Sequence, residues 1–361
     1  MIIREDSIIF LLGAGASVDA GIMHAKSMTE DIEKKIINVS EYRSFEDLYN
    51  YLKSSILYQR GLNGDFENTD VNIEDLLNVL SDLKLKNNNK LYPFIGSWNV
   101  QLQRVAGKDF EYLEALDTFI RRQLFDWINI ESYDKSSYFT GFAELANEVG
   151  VSLRVFTLNY DLCVEKALAK ESMEVEIGFN RLREWEASRF DSNPTEYAKI
   201  FLYKLHGSID WKRDPTLGGV LKYCDTPRSD HELIFGTPAK LTSIDPYLFY
   251  VHEFRKYSLQ EPLRFIIAVG YSFGDEYINR LISQAVSRNN LLTILSISPD
   301  QKDRGEIDKI RRDQKRYIAQ KLNIDTGRVQ LINSTAKEFF TSRCTLEFFE
   351  SIGGQTEEAP F

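Results

Sequence analysis

The stretch SIIFLLGAGAS at residues 7–17 decides the fold, because it joins an unbroken apolar run to a glycine-rich turn. An apolar run without alternation is typical of a parallel strand that is buried on both faces. Glycines after such a strand let the backbone approach a pyrophosphate, and a helix predicted to begin near Val18 would supply unpaired N–H groups. The predicted phosphate-binding turn consists of Gly13, Ala14, Gly15, Ala16 and Ser17. Val18 interrupts a full GxGxxG pattern, so a tight turn without a ligand is the alternative.

Strand-like runs return after residue 150 and alternate with helical patterns. The predicted strands lie at 152–158, 199–207, 232–236, 264–273, 291–298 and 328–333. Helical patterns lie at 162–170, 275–288, 303–322 and 335–350. This alternation predicts an α/β fold with a Rossmann-like, mostly parallel sheet and helices on both faces.

The segment between the first strand and residue 150 has mostly helical patterns. Ser44 and Asn72 each precede an amphipathic run and are predicted to cap a helix, with an acidic residue three positions on. Loops are predicted at 61–70 and 86–90. We therefore expect a Rossmann-like core at 1–24 and 150–350, a helical insertion at 25–149, and a flexible tail at 351–361.

Composition excludes several classes of protein. The formal net charge of -10 argues against a broad nucleic-acid-binding surface. The chain has 3 cysteines without a CxxC pair, which excludes a four-cysteine zinc module, and its 4 histidines show no metal-ligand spacing. No apolar run is long enough to cross a membrane and none reads as a signal peptide, so we expect a soluble, cytoplasmic protein without a metal.

The sequence TLNYD at 157–161 follows a predicted buried strand and precedes a helix. Its polar side chains should lie at the carboxyl edge of the sheet, where open α/β sheets bind ligands. Asn159 has little structural reason to stand there, and Thr157 precedes it at the strand end. For Asp161, a cap on the following helix and a ligand contact are equally plausible.

His206 stands in the sequence KLHGS at 204–208, again at the end of an apolar strand. An imidazole titrates near neutral pH and exchanges protons readily, and its position at a strand end before glycine favours a functional role over a packing role. His24, His231 and His252 have no such setting and are interpreted as surface or packing residues.

Two further strand ends are candidates for ligand contacts. The turn that begins with Gly270, Tyr271 and Ser272 offers backbone N–H groups and a hydroxyl to a phosphate or ribose, and Asp275 is predicted to cap the next helix. The following strand ends at Ser298, which would meet an adenosine ribose or form a simple turn.

Taken in order, these turns resemble the NAD-binding motifs of the sirtuin family. The glycine turn together with Gly21 and Ile22 resembles the first NAD loop of sirtuins, and TLNYD resembles the Thr-Gln-Asn-Ile-Asp element around the nicotinamide ribose. His206 matches the catalytic histidine, and the turn at 270–272 matches a Gly-Thr-Ser element that contacts phosphate and ribose. The resemblance implies NAD+ as the substrate. It covers about 7–22 and 150–300.

The chain departs from protein-deacylating sirtuins in three features. The four-cysteine zinc module is absent, the run after the first loop is Met23-His24-Ala25-Lys26 in place of Pro-Asp-Phe-Arg, and Leu158 replaces the glutamine. With these features the chain resembles the bacterial sirtuin-like branch that hydrolyses NAD+ in anti-phage defence. That resemblance implies a homo-oligomer or a partner such as a HerA-type ATPase, without membrane or direct nucleic-acid binding.

The resemblance also implies roles for individual residues. Asn159 would position the nicotinamide ribose and the attacking water, His206 would act on the ribose hydroxyls, and Asp161 would contact the carboxamide or support the pocket. The alternatives are a protein deacylase and a non-catalytic NAD or ADP-ribose sensor that regulates a partner. A Rossmann dehydrogenase is disfavoured, because no acidic residue ends a second strand about 20 residues after the glycine turn.

Overall fold

A computed structural model describes the chain over 6–62, 64, 71–84, 99–107, 110–191, 200–214, 220–224, 245–299 and 307–357. By their contacts, the described residues divide into two units. One contains those up to Ile22 and those from Ile130 onward, and the other is Met23–Asn129.

Seven of the described strands form one sheet in the order β3-β4-β2-β1-β7-β8-β9. Its strands are β1 (Ile8–Leu12), β2 (Leu153–Thr157), β3 (Val175–Glu176), β4 (Ile200–Lys204), β7 (Phe265–Val269), β8 (Thr293–Ser298) and β9 (Val329–Asn333). All neighbouring pairs are parallel, which confirms the predicted α/β class. The chain order reverses direction at β1, so β1 and β7 form the topological switch point where such sheets bind ligands.

Helices cover both faces of this sheet. On one face, the ring of Phe10 in β1 packs 5.0 Å from that of Phe142 and 6.4 Å from that of Phe340. On the other face, Phe156 in β2 stacks 4.4 Å from Tyr203 and meets Phe254 at 5.0 Å. Since side chains alternate across a strand, the unbroken apolar runs supply both layers.

The helices of the unit that holds the sheet are α6 (Gly141–Val149), α7 (Cys163–Lys170), α8 (Tyr247–Ser258), α9 (Glu276–Arg288), α10 (Ile307–Leu322), α11 (Ala336–Ser342) and α12 (Leu346–Glu357). Short 3-10 helices span Ala14–Ala20, Asp134–Thr140, Ala187–Phe190 and Thr326–Arg328. Two antiparallel strands that the sequence patterns did not reveal, β5 (Trp211–Asp214) and β6 (Val220–Tyr223), form a separate hairpin.

The second unit is helical. It contains α1 (Ala25–Asn38), a 3-10 turn at Arg43–Phe45, α2 (Glu46–Leu62), α3 (Ile73–Lys84), α4 (Val100–Val105) and α5 (Glu111–Ile128). Asn72 caps α3 as predicted: its Oδ1 accepts from Asp75 N at 2.9 Å, and its own N–H donates to Asp75 Oδ2 at 3.0 Å. Ser44 is not a cap, because it lies inside the 3-10 turn that leads into α2.

Several predicted boundaries differ from the structure. Residues after Ile130 pack with the sheet rather than with the helical segment, since Phe142 contacts Phe10 in β1. The glycine turn leads into the 3-10 helix Ala14–Ala20, not into an α-helix near Val18. The pattern at 335–350 is two helices, and the expected tail is helical as far as Glu357.

Some predictions fall wholly or partly outside the described residues. These are the strand at 232–236, the loop at 86–90 and most of the loop at 61–70, whose first two residues end α2. Within the described ranges, no helix combines the length and apolar character that a membrane crossing requires. The same part of the chain contains no group of three or more His, Cys, Asp or Glu side chains that is arranged to hold a metal ion.

Candidate functional site

The register of the central strands brings the predicted turns to one edge of the sheet. Leu12 at the end of β1 pairs with Thr157 on one side and with Val269 on the other. Thr157 in turn pairs with Lys204, and Val269 pairs with Ile297. The turns that begin at the next residues are therefore neighbours along the carboxyl edge, as the sequence predicted for this fold class.

The first glycine turn packs backbone against backbone on the turn after β7. Gly15 N donates to Gly270 O at 3.0 Å. A Cβ on Gly13 would lie 2.6 Å from Gly270 O, and a Cβ on Gly15 would lie 2.7 Å from Gly270 Cα. Gly270 has a φ of 60°, in the left-handed region that favours glycine. Glycine at 13, 15 and 270 is thus required by the contact between the two turns, and the Gly15 N–H is already used.

The rest of the first turn is held by its own unit. Ala14–Ala20 is a 3-10 helix, and the carbonyl of Ala16 accepts a hydrogen bond from the hydroxyl of Tyr138 at 2.6 Å. Gly21 ends this helix with a φ of 97°, and Ile22 N donates back to Ser17 O at 3.2 Å. Gly21 and Ile22 therefore close the loop.

Asn159 connects the first glycine turn to the TLNYD turn. Its Nδ2 donates to Gly13 O at 2.9 Å and to Ser17 Oγ at 3.1 Å. Its backbone N–H donates to the Oγ1 of buried Thr157 at 3.0 Å. Both amide hydrogens of Asn159 are committed to the neighbouring turn, so a ligand would be recognised through its carbonyl oxygen.

Asp161 is not the N-cap of α7, which is Leu162, but its side chain binds the first N–H group of that helix. Its Oδ1 accepts from Cys163 N, the first residue of α7, at 2.9 Å, and the side chain is buried. Burial raises the pKa of the Cys163 thiol, and the nearby carboxylate of Asp161 raises it further. Cys163 is therefore a protonated packing residue rather than a nucleophile.

His206 forms a buried pair with Asp275 at the same edge. His206 Nε2 lies 3.0 Å from Asp275 Oδ2, and the two side chains are 6% and 9% exposed. Because a carboxylate only accepts, Nε2 carries a hydrogen, and in the neutral imidazole Nδ1 then carries the lone pair. Nδ1 is buried and has no hydrogen-bond partner among the described residues. An unpaired buried acceptor costs free energy, so a ligand that donates a proton there would relieve that cost.

Asp275 caps α9 as predicted and also holds the histidine. Its Oδ1 accepts from Tyr277 N at 3.0 Å and from Ile278 N at 3.1 Å, which leaves Oδ2 directed at His206. The N-terminus of α9 thus holds the carboxylate of Asp275 in place, and this carboxylate orients the imidazole of His206. Sequence analysis had assigned Asp275 only the cap, because the pairing with His206 depends on tertiary contact.

The turn after β7 is locked by side chains behind it. Tyr271 OH donates to Asn279 Oδ1 at 2.9 Å, and Asn279 Nδ2 donates to Phe273 O at 2.8 Å. Phe273 has a φ of 57°, which is unusual for a bulky residue. Tyr271 is therefore directed into the protein, whereas Ser272 is exposed and its carbonyl accepts from Tyr317 OH at 3.4 Å.

Ser298 lies at the far end of the predicted site. Its Oγ accepts from Gln314 Nε2 at 2.9 Å, and its side chain is half-buried. The strand that it ends is joined to the central turn, because Gly270 N donates to Ile297 O at 3.0 Å. The edge thus runs from His206 through the glycine turn to Ser298.

Lys204 is a residue of this region to which sequence analysis gave no role. It is the last residue of β4, its side chain is 1% exposed, and its Nζ donates to Asp161 O at 2.6 Å and to Glu165 Oε1 at 2.7 Å. The sequence does contain an indication of a special role for Lys204, because this lysine ends the otherwise apolar, buried strand IFLYK.

Comparison with known protein families finds a match over part of the chain. The family model of the SIR2-like domain matches residues 153–326, which include Asn159, His206 and Asp275. SIR2-like domains use NAD+. No protein with a curated description matches the chain.

Proposed function

We propose that the SIR2-like region binds NAD+ along the carboxyl edge of the sheet and hydrolyses its nicotinamide–ribose bond. The observation that carries the proposal is the buried His206–Asp275 pair with an unpartnered Nδ1, placed beside the β1/β7 switch point. A neutral imidazole with a free lone pair is a proton acceptor, and a fixed carboxylate behind it stabilises the imidazolium that results.

In the proposed reaction, the bond between ribose C1′ and the nicotinamide nitrogen breaks, and its electron pair leaves with nicotinamide. Water then adds to C1′, and its proton is released to a base. We assign the orientation of the ribose and the water to the Asn159 carbonyl oxygen, and the acceptance of a proton from a ribose hydroxyl or the water to His206 Nδ1. The pyrophosphate would lie near Ser17 and Ser272, and the adenosine ribose would lie near Ser298.

We also propose the biological role that the resemblance implies. NAD+ depletion in anti-phage defence requires that turnover be restrained until infection, so we propose a homo-oligomer or a partner such as a HerA-type ATPase as the regulator. Protein deacylation is disfavoured, because the 3 cysteines of the chain cannot build the four-cysteine zinc module.

One observation favours a second candidate, an NAD+ or ADP-ribose sensor without turnover. Both amide hydrogens of Asn159 are bound to Gly13 O and Ser17 Oγ, so this residue also has a purely structural use. As a sensor, the chain would bind NAD+ without cleaving it, and the bound state would regulate a partner protein.

The test is NAD+ consumption by the purified full chain, with nicotinamide and ADP-ribose measured by chromatography. His206→Ala and Asn159→Ala should lower turnover by about 10²-fold or more, as loss of acid–base help does. His252→Ala is the matched control, because His252 is exposed on α8, and it should keep wild-type turnover. Binding of NAD+ without product release, measured by calorimetry, would favour the sensor. Near-wild-type turnover in a folded His206→Ala variant would refute the site assignment.

A further inference from the structure

Lys204 is an ammonium ion in a fully buried position, with no task in the reaction proposed above. Taking such a group out of water is costly unless its hydrogens are paired. Burial by itself lowers the pKa of Lys204, but the carboxylates of Glu165 and Asp210 outweigh this effect and raise the pKa above its usual value. The side chain therefore remains charged at neutral pH.

Lys204 binds two groups, a carboxylate in α7 and a main-chain carbonyl in the TLNYD turn. Glu165 Oε1 balances the charge from within α7. The second acceptor is the main-chain oxygen of Asp161, at 2.6 Å, in the turn that carries Asn159. The ammonium thus joins the end of β4 to the TLNYD turn.

The backbone of Lys204 also takes part in the turn that carries His206. His206 follows two residues later, and Gly207 N donates to Lys204 O at 3.2 Å, which closes the turn around the histidine. Leu205 N also donates to Thr157 O at 2.8 Å, and Ile209 N donates to Tyr160 O at 3.1 Å. Backbone hydrogen bonds therefore join the turns that carry Asn159 and His206, and Lys204 adds a charge-assisted hydrogen bond between them.

A buried ion pair is a weak source of stability, because apolar residues of similar volume often stabilise a fold equally well. Charge-assisted hydrogen bonds are stronger and shorter than neutral ones, and they hold geometry more firmly. We infer that Lys204 is a positioning residue for the proposed NAD+ cleavage: its ammonium holds the Asp161 carbonyl and thereby keeps Asn159 in register with His206. This inference rests on the proposed function.

The experiment separates charge balance from positioning with three variants. Glu165→Gln removes the carboxylate but keeps an amide oxygen for Lys204, so the ammonium still reaches Asp161 O. Lys204→Met removes the ammonium and leaves the carboxylates of Glu165 and Asp210 without their counter-ion. Lys204→Met/Glu165→Gln removes the ammonium and the carboxylate that it contacts, which leaves the Asp210 carboxylate, while the Asp161 carbonyl still lacks its donor. Thermal unfolding, kcat and KM for NAD+ are measured for each variant in the full chain, with the wild type first.

We expect the double variant to unfold at a higher temperature than Lys204→Met, while its kcat stays about 10-fold to 100-fold below the wild type, because small misplacements of reacting groups are costly. Its KM should change by less than about threefold, since ground-state binding is not what is lost. Glu165→Gln should keep kcat within about threefold of the wild type.

Recovery of both stability and kcat in the double variant would overturn the inference, because Lys204 would then only balance a charge. Loss of turnover in a folded Glu165→Gln variant would also overturn it, even if both Lys204 variants fail to fold. A wild-type chain that binds NAD+ without cleaving it favours the sensor over the hydrolase, which distinguishes a failure of the proposed function from a failure of this inference.

Discussion

Asp275 Oδ2 lies 3.0 Å from His206 Nε2, although the two residues are 69 positions apart in the chain. The same carboxylate caps α9 through its other oxygen, which accepts from the N–H groups of Tyr277 and Ile278. A helix terminus therefore holds the group that orients the imidazole. The carboxylate that caps α9 thus also determines the tautomer of the neutral His206 imidazole.

Asp275→Asn should abolish most turnover while the fold survives. The amide oxygen of asparagine still caps α9, but the NH2 group then faces His206 Nε2 and forces the hydrogen onto Nδ1. We expect kcat for NAD+ to fall by about 10²-fold or more, as when a catalytic histidine loses its acceptor partner. Steady-state kinetics and circular dichroism check this prediction. Wild-type kcat in Asp275→Asn would show that the pair has no part in turnover.

Gly15→Ala should separate the two turns that meet at the switch point. The new Cβ would lie 2.7 Å from Gly270 Cα, and backbone atoms on both sides leave no flexible group to yield. We expect a loss of about 1–3 kcal/mol in the free energy of unfolding and weaker NAD+ binding, as for other overpacked sites. Urea titration and calorimetry measure the two effects.

Gly274→Ala is the matched control for this substitution. Its nearest neighbour would be Ser272 Oγ at 3.4 Å, which is ordinary contact. This variant should unfold within about 0.5 kcal/mol of the wild type, as surface substitutions usually do. Equal losses in Gly15→Ala and Gly274→Ala would contradict the tight contact between the turns.

Tyr138→Phe should weaken the anchoring of the glycine turn. The substitution removes the hydroxyl that donates to Ala16 O at 2.6 Å and leaves that carbonyl without this partner. The expected cost is about 1–3 kcal/mol in the free energy of unfolding, the usual penalty for an unsatisfied buried polar group. Tyr58→Phe serves as the control, because Tyr58 is 69% exposed and should tolerate the loss of its hydroxyl. A Tyr138→Phe variant as stable as Tyr58→Phe would rule out this anchor.

Thiol alkylation should distinguish Cys224 from the other two cysteines. Burial raises the pKa of Cys163 and of Cys344, so little thiolate forms at either position, whereas Cys224 is only half-buried. At about pH 8 the native chain should react at Cys224 first, and Cys163 and Cys344 should react only after unfolding. Mass spectrometry of peptides locates the adducts, and rapid labelling of Cys163 in the folded chain would contradict its buried state.

The same two thiols give a pH dependence of stability with a defined sign. Their pKa values in the folded state lie above that of an unfolded thiol, which is about 8.5. Their contribution is therefore fully present below about pH 8.5 and is lost as pH rises, because the unfolded chain then releases protons that the folded chain retains. Denaturant midpoints measured from pH 7 to 10 should fall less in a Cys163→Ala/Cys344→Ala variant than in the wild type.

The class of fold could be predicted from the sequence because parallel strands that are buried on both faces leave a local signature. The runs ending at Leu12, Thr157, Lys204, Val269 and Ser298 are mostly apolar and do not alternate between apolar and polar residues, and each is followed by a turn. Short or partly polar strands leave no such signature. The hairpin Trp211–Asp214 with Val220–Tyr223 was missed for that reason.

The candidate site was predictable only as a set of turns. Strand-end position identified Asn159 and His206, since parallel strands present their carboxyl ends at one edge. The partner of each side chain was not predictable. Asn159 binds Gly13 and Ser17, which are 146 and 142 positions away, and no local pattern records such contacts.

The sequence by itself determined the layered α/β arrangement, the location of the polar turns and the absence of a four-cysteine zinc module, because these follow from periodicity, chain order and composition. Tertiary structure alone decided that Asp275 serves His206, that Lys204 binds the Asp161 carbonyl, and that glycine is required at 15 and 270. The physical reason is distance along the chain. Periodicity reports which face of an element is buried, whereas hydrogen bonds and close backbone contacts depend on which distant elements the sheet order makes neighbours.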